Sequence, residues 1–60
     1  MTIDDLPEVL TIDETARFLR ISRGLAFTAA RRGEIPAVRV GRRLLVPRVR
    51  LVAWLHDKGR

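Results

Sequence analysis

The 60-residue chain has no cysteine, which excludes a disulfide framework and any thiolate metal site. Its single histidine, His56, cannot build a histidine metal centre by itself. No apolar run approaches the roughly 20 residues that a membrane span needs. The leading stretch MTIDDLPEVL is acidic and lacks the basic n-region of a secretory leader. No glycine-rich phosphate loop of the G-x-x-x-x-G-K-[ST] type occurs. The acids fall mostly in the leading segment or at a helix start, and a chain this short has little volume for a pocket. These absences predict a soluble intracellular domain that is not an enzyme, uses no cofactor or metal and has no membrane partner. At this length folding buries only about 60% of the surface of the unfolded chain, so stability is marginal.

What the chain has is arginine. Eleven of its twelve basic residues are arginine, and the net charge is +5. The charge is unevenly spread. Residues 1–14 hold five acids (Asp4, Asp5, Glu8, Asp13, Glu14) and no base, whereas residues 15–60 hold every base against only Glu34 and Asp57. Arginine forks onto phosphate oxygens and guanine edges, which lysine does less well. The composition therefore points to a polyanionic partner.

Local signals divide the chain into elements. Thr11 and Glu14 have the spacing of a capping box, and Asp13 and Glu14 suit the positive end of a helix dipole. Ile12, Ala16 and Leu19 recur at helical spacing, so a first helix runs to about Leu19 or Arg20. Ser22 is a good N-cap for a second helix of about ten residues. Ala26, Ala29 and Ala30, with Leu25 beside them, mark its inner side, and Gly33 has the position of a terminating glycine. Two short helices joined by two to four residues have helix-turn-helix geometry, although a plain αα-hairpin has the same composition.

Alternation in Val38 and Val40, and again in Leu44 and Val46, predicts a two-stranded hairpin around Gly41. A two-residue loop, Gly41-Arg42, sets Arg43 opposite Val40. A three-residue loop, Gly41-Arg42-Arg43, sets Leu44 opposite Val40 and Val46 opposite Val38. The three-residue loop gathers four apolar residues on one face and is the expected register. It sends Arg39 to the other face and leaves Arg42 and Arg43 at the tip. Pro47 suits the start of a last helix. There Leu51, Trp54 and Leu55 share a face that packs under the hairpin, and Val49, Val52, Ala53 and His56 form a second stripe. Lys58, Gly59 and Arg60 favour the end of that helix. Phe18 and Trp54 are expected in the core. Phe27 is equally compatible with a groove wall and a partial core position. The segment before Leu10, with Pro7 and no periodicity, reads as an acidic arm ordered at most near Leu6 or Val9.

In order and spacing, four motifs resemble the excisionase family of small DNA-binding proteins, the recombination directionality factors. That family shares the winged helix-turn-helix of MerR-type regulators. The motifs are LT-x-x-E-x-A-x-x-L-x-[IV]-S from Leu10, R-x-GE-[IL]-P from Arg31, V-x-VG-x-R from Val38 and L-x-AWL from Leu51. The resemblance spans residues 10–55, about three quarters of the chain. It implies a mainly α fold with a small β-hairpin: an acidic arm over 1–9, a winged helix-turn-helix over 10–56 and a tail over 57–60. It also implies a docking mode on double-stranded DNA. The second helix enters the major groove, with Ser22 and Arg23 at its start and Phe27, Thr28 and Arg31 along its outer side. Arg39, Gly41, Arg42 and Arg43 form the wing contacts.

The sequence departs from the family pattern at several positions. Arg20 replaces a common turn glycine, which implies a strained backbone there or one that is not left-handed. Gly24 and Leu25 stand where small polar residues are usual, and Thr28 where a long basic one is. Val49 and Arg50 replace acids.

The resemblance carries two roles. One is an architectural factor that binds beside the attachment sites of a phage or integrated element, bends DNA and helps a phage-type integrase excise the element. The other is a small regulator at an operator or promoter. The length of 60 residues favours the first. A third class, an adaptor that uses the apolar stripe without DNA, competes with both. The expected location is cytoplasmic and nucleoid-associated. Copies are expected to be monomeric in solution and to bind cooperatively side by side on DNA. The candidate protein contact is Val49, Val52, Ala53 and His56, with the Leu45 face of the wing as a second candidate.

Overall fold

The computed structural model describes residues 3–58. A single 3-10 turn, Ile3–Asp5, leads into β1 (Val9–Thr11) and α1 (Ile12–Leu19). Then follow α2 (Arg23–Arg31), β2 (Val38–Val40), β3 (Arg43–Pro47) and α3 (Arg48–Lys58). The expected helix end at Gly59 and Arg60 lies outside the described residues.

The first helix begins as its sequence dictates. Glu14 N–H donates to the Thr11 hydroxyl at 3.1 Å, and Thr11 N–H donates to the Glu14 carboxylate at 2.8 Å. This reciprocal pair satisfies two donors that a helix start otherwise leaves open. Thr15, fully buried, donates its hydroxyl to the Thr11 carbonyl at 2.9 Å, so its burial leaves no polar group unsatisfied. Ser22 caps α2 by accepting from Leu25 N–H at 3.1 Å.

Both helices of the helix-turn-helix end in the same motif. After α2, Gly33 N–H donates to the Ala30 carbonyl and Glu34 N–H to the Ala29 carbonyl, with Gly33 at φ +81°. After α1, Arg20 N–H donates to the Arg17 carbonyl and Ile21 N–H to the Ala16 carbonyl. This is the Schellman pattern, and it requires a left-handed residue. Glycine supplies it after α2, whereas after α1 an arginine takes it, at φ 60° and ψ 42°. The backbone at Arg20 is therefore left-handed, against one of the two expectations for that position. The two carbonyls of α1 hold it there.

The sheet corrects the sequence reading twice. It has three antiparallel strands in the order β1-β3-β2, because the stretch just before α1 pairs with β3. The register of the hairpin also differs. Val38 faces Leu45, Arg39 faces Leu44 and Val40 faces Arg43, so the loop is Gly41-Arg42 rather than the expected three residues. Gly41 takes φ +61°, the positive first central angle of a type II′ turn, whose twist matches the flanking strands. The expected register assumed that Val38 and Val40 face inward. Instead β1 selects the inner face of β3, where Leu10 sits opposite Val46 and both are fully buried. Val38 and Val40 then lie on the outer face, 39% and 57% exposed, with Val9, Leu45 and Pro47. Arg39 lies on the inner side with Leu44.

The core gathers Leu6, Leu10, Ile12, Ala16, Ala26, Ala30, Ile35, Val46 and Leu51. Alanines at 16, 26 and 30 let α1 and α2 approach closely. Phe18, Trp54 and Leu55, expected inside, are partly buried against this cluster. Pro47 ends β3 instead of opening α3, which starts one residue later. Arg48 ties the leading segment to that junction. Its backbone N–H donates to the Glu8 carbonyl at 2.8 Å and its guanidinium to the Leu6 carbonyl at 2.8 Å. Burying one leucine contributes about 1.5–3 kcal/mol, against a total of about 3–9 kcal/mol for a chain of this size at ~0.05–0.15 kcal/mol per residue. Leu6 and Leu10 are thus structural parts of the domain.

The strained position generates a test. A left-handed non-glycine residue costs about 1–2 kcal/mol, and glycine gives back about 0.5–1 kcal/mol through the unfolded chain. Arg20→Gly should raise the melting temperature by about 4 °C, since ~1 kcal/mol moves a domain of this size by roughly 4–8 °C. A lower melting temperature in thermal denaturation contradicts the left-handed assignment.

Candidate nucleic-acid interface

The register of the hairpin decides where the arginines go. With Arg39 on the inner side of β2, the hairpin turns that arginine toward α2, while Arg43 stands opposite Val40 on the outer side. An open cleft of about 510 Å³ is lined by Phe27, Ala30 and Arg31 of α2 and by Ala37, Arg39, Arg42 and Leu44. A second cleft, of about 200 Å³, adjoins it at Phe27, Arg42 and Leu44, and adds Arg23, Arg43 and the start of α1 at Thr11, Ile12 and Asp13. Five arginines from α2 and the hairpin therefore line two adjoining clefts that share Phe27.

Phe27 is 44% exposed, so it is a wall of this surface more than a core residue. The Arg31 guanidinium carbon lies 5.8 Å from the ring centroid, within the range of a cation–π contact. Arg39 Nε donates to the Gly41 carbonyl at 3.3 Å, which stiffens the turn without consuming the rest of the guanidinium. Arg23 Nε lies 2.8 Å from Asp13 Oδ1 and forms an ion pair between the starts of α2 and α1. The Ser22 hydroxyl accepts from Leu25 N–H and retains its own proton for donation. Thr28 is exposed on α2 but lines neither cleft.

Of the residues singled out from sequence, Arg23, Phe27, Arg31, Arg39, Arg42 and Arg43 converge on this face. Ser22, which caps α2, and Gly41, in the hairpin turn, line neither cleft. Val49, Val52, Ala53 and His56 belong to α3 and line neither cleft. Val49 is 77% exposed, Ala53 and His56 are exposed, and Val52 is half-buried. Sequence reasoning missed Asp13, which it read as a dipole partner only. Its contact with Arg23 spans ten positions and depends on the angle between two helices, which no local pattern reports. The role of Arg48 was also missed: its guanidinium is spent on the Leu6 carbonyl.

Among the described residues, no helix is long and apolar enough to cross a membrane. Among the same residues, no three or more His, Cys, Asp or Glu side chains gather as a metal site. No curated protein and no solved structure matches the chain. The sequence pattern described as the helix-turn-helix domain does match, over residues 9–59. That span takes in β1, both helices of the motif, the hairpin and α3, so the chain belongs to the helix-turn-helix domain family.

Proposed function

We propose that the chain binds double-stranded DNA sequence-specifically, with α2 in the major groove and the β2–β3 hairpin on the neighbouring backbone and minor groove. The observation that carries this reading is the convergence of five arginines from α2 and the hairpin on two clefts that share Phe27. An α-helix is about 10–12 Å across with its side chains, and the major groove is about 12 Å wide. Arg42 and Arg43, on a tight turn at Gly41, suit phosphates or a narrow minor groove. Thr28 and Arg31 lie on the exposed side of α2, where base edges are read.

The binding should be strongly salt-dependent. Neutralising roughly 5–6 phosphates gives a log–log slope of about −5. Replacing Arg42 and Arg43 together by alanine should weaken binding to all sequences and reduce that slope by about one unit per lost phosphate contact. Replacing Thr28 or Arg31 should change preference among sites instead. Titrations at several salt concentrations read both effects, and a slope near zero for the unaltered chain contradicts the electrostatic docking.

The role we favour is that of an excisionase-like architectural factor that bends DNA beside an attachment site and assists an integrase. The four motifs that resemble that family support it. The same face also serves a small operator-binding regulator. Neighbouring copies on DNA are held at high effective concentration, so weak contacts through Val49 and Ala53, or through the outer sheet face at Leu45, suffice for cooperativity. Electrophoresis on fragments carrying one or two selected sites separates these readings. An architectural factor gives a mobility that depends on where the site lies, and binds paired sites cooperatively. Val49→Asp with Ala53→Asp should spare single-site binding and remove the cooperativity. A straight complex favours the regulator, and unchanged cooperativity moves the contact to the sheet face.

A further inference from the structure

Among the described residues that line the two clefts, Asp13, paired with Arg23, is the one carboxylate that joins the arginines. The pair's contribution to folding is small, because exposed ion pairs of this kind often contribute nothing measurable. The backbone that carries its two side chains is nonetheless well fixed. Asp13 is the second residue of α1, which the reciprocal Thr11–Glu14 bonds cap. Arg23 is the first residue of α2, which Ser22 caps. Both side chains therefore spring from defined backbone on two packed helices. The carboxylate meets the guanidinium at Nε, at 2.8 Å. A carboxylate held there leaves N–H donors on the terminal Nη1 and Nη2 edge. Those are the donors that a guanine O6 and N7 pair accepts.

We propose that Asp13 is a positioning residue for DNA reading: it holds Arg23 at the start of α2 so that the arginine recognises a guanine edge instead of an arbitrary phosphate. This rests on the DNA-binding role proposed above. Two opposed effects follow from one carboxylate. Holding a long side chain in place before binding removes part of the ordering cost at the interface, which favours the correct base. A negative charge beside a phosphate backbone disfavours every DNA sequence alike. Asp13 thus lowers non-specific affinity and raises the affinity for a site with guanine in the right place. Discrimination by such a combination of attraction and repulsion is a general route to specificity.

The prediction differs in sign from a plain charge effect. Duplexes are first selected from a random-centre library with the unaltered chain, and binding is then measured on the selected duplex and on random-sequence DNA. Asp13→Asn should bind random-sequence DNA about twofold more tightly and the selected duplex about fivefold more weakly. Selection with Asp13→Asn and with Arg23→Ala should lose guanine preference at the same position. In the Arg23→Ala background, Asp13→Asn should tighten both DNAs, so the two substitutions couple on the selected duplex and not on random-sequence DNA. Asp13→Ser, whose hydroxyl suits the first turn of a helix, repeats the test if the asparagine variant folds poorly. Tighter binding of Asp13→Asn to both DNAs, with an unchanged selected sequence, overturns the proposal and leaves DNA binding intact. Failure of the unaltered chain to retain any duplex at low salt overturns the DNA-binding reading itself.

Discussion

Leu10 and Val46 face each other across β1 and β3 without exposure to solvent, and the geometry of the basic face follows from that pair. By pairing with Leu10, Val46 commits one face of β3 to the core. Side chains alternate along a strand, so Leu44 joins Val46 on the inner face and Leu45 turns outward. The two-residue turn then transmits the choice to β2, where Arg39 faces inward toward α2 and the two valines face out. A slip of one residue would reverse every one of these positions. The clefts between α2 and the hairpin would then be lined by valine where they now have Arg39.

The arginines divide by what they touch. Arg48 is an internal strut, bonded to the Leu6 and Glu8 carbonyls through its side chain and backbone. Arg20 supplies a left-handed link between the helices, a role ordinarily left to glycine. Arg31 lies over the Phe27 ring, and Arg23 is held by Asp13. Arg42 and Arg43 line the clefts from the hairpin tip. High arginine content therefore has two origins in this small domain: some residues complete a fold that has little core to spare, and others build one basic surface.

Local features were legible in the sequence. The Thr11–Glu14 capping box, the Ser22 cap and the Gly33 terminus each depend on residues within a few positions, and each holds in the structure. Two short helices with a tight joint followed from them, and with them the placement of Arg23, Phe27 and Arg31 on one element. Non-local pairing was less legible. Residues 9–11 carry no alternation long enough to announce a strand, and the partner of Leu10 lies 36 positions away. Without β1, counting apolar residues favoured the wrong register, because it treated Val38 and Val40 as core. The contact between Asp13 and Arg23 was hidden for the same reason: it belongs to the angle between two helices.

In the proposed docking mode, α2 and the β2–β3 hairpin act as one DNA-binding face built from separate elements. Amide chemical shifts of the chain, followed by NMR as a short duplex with a single selected site is added, test it most directly. The shifts that move most should fall in Arg23–Arg31 and in residues 39–43 together, at the same DNA concentration, while the exposed side of α3 at Val49 and Ala53 stays unchanged. Movement concentrated in α3, with the hairpin tip unaffected, contradicts it.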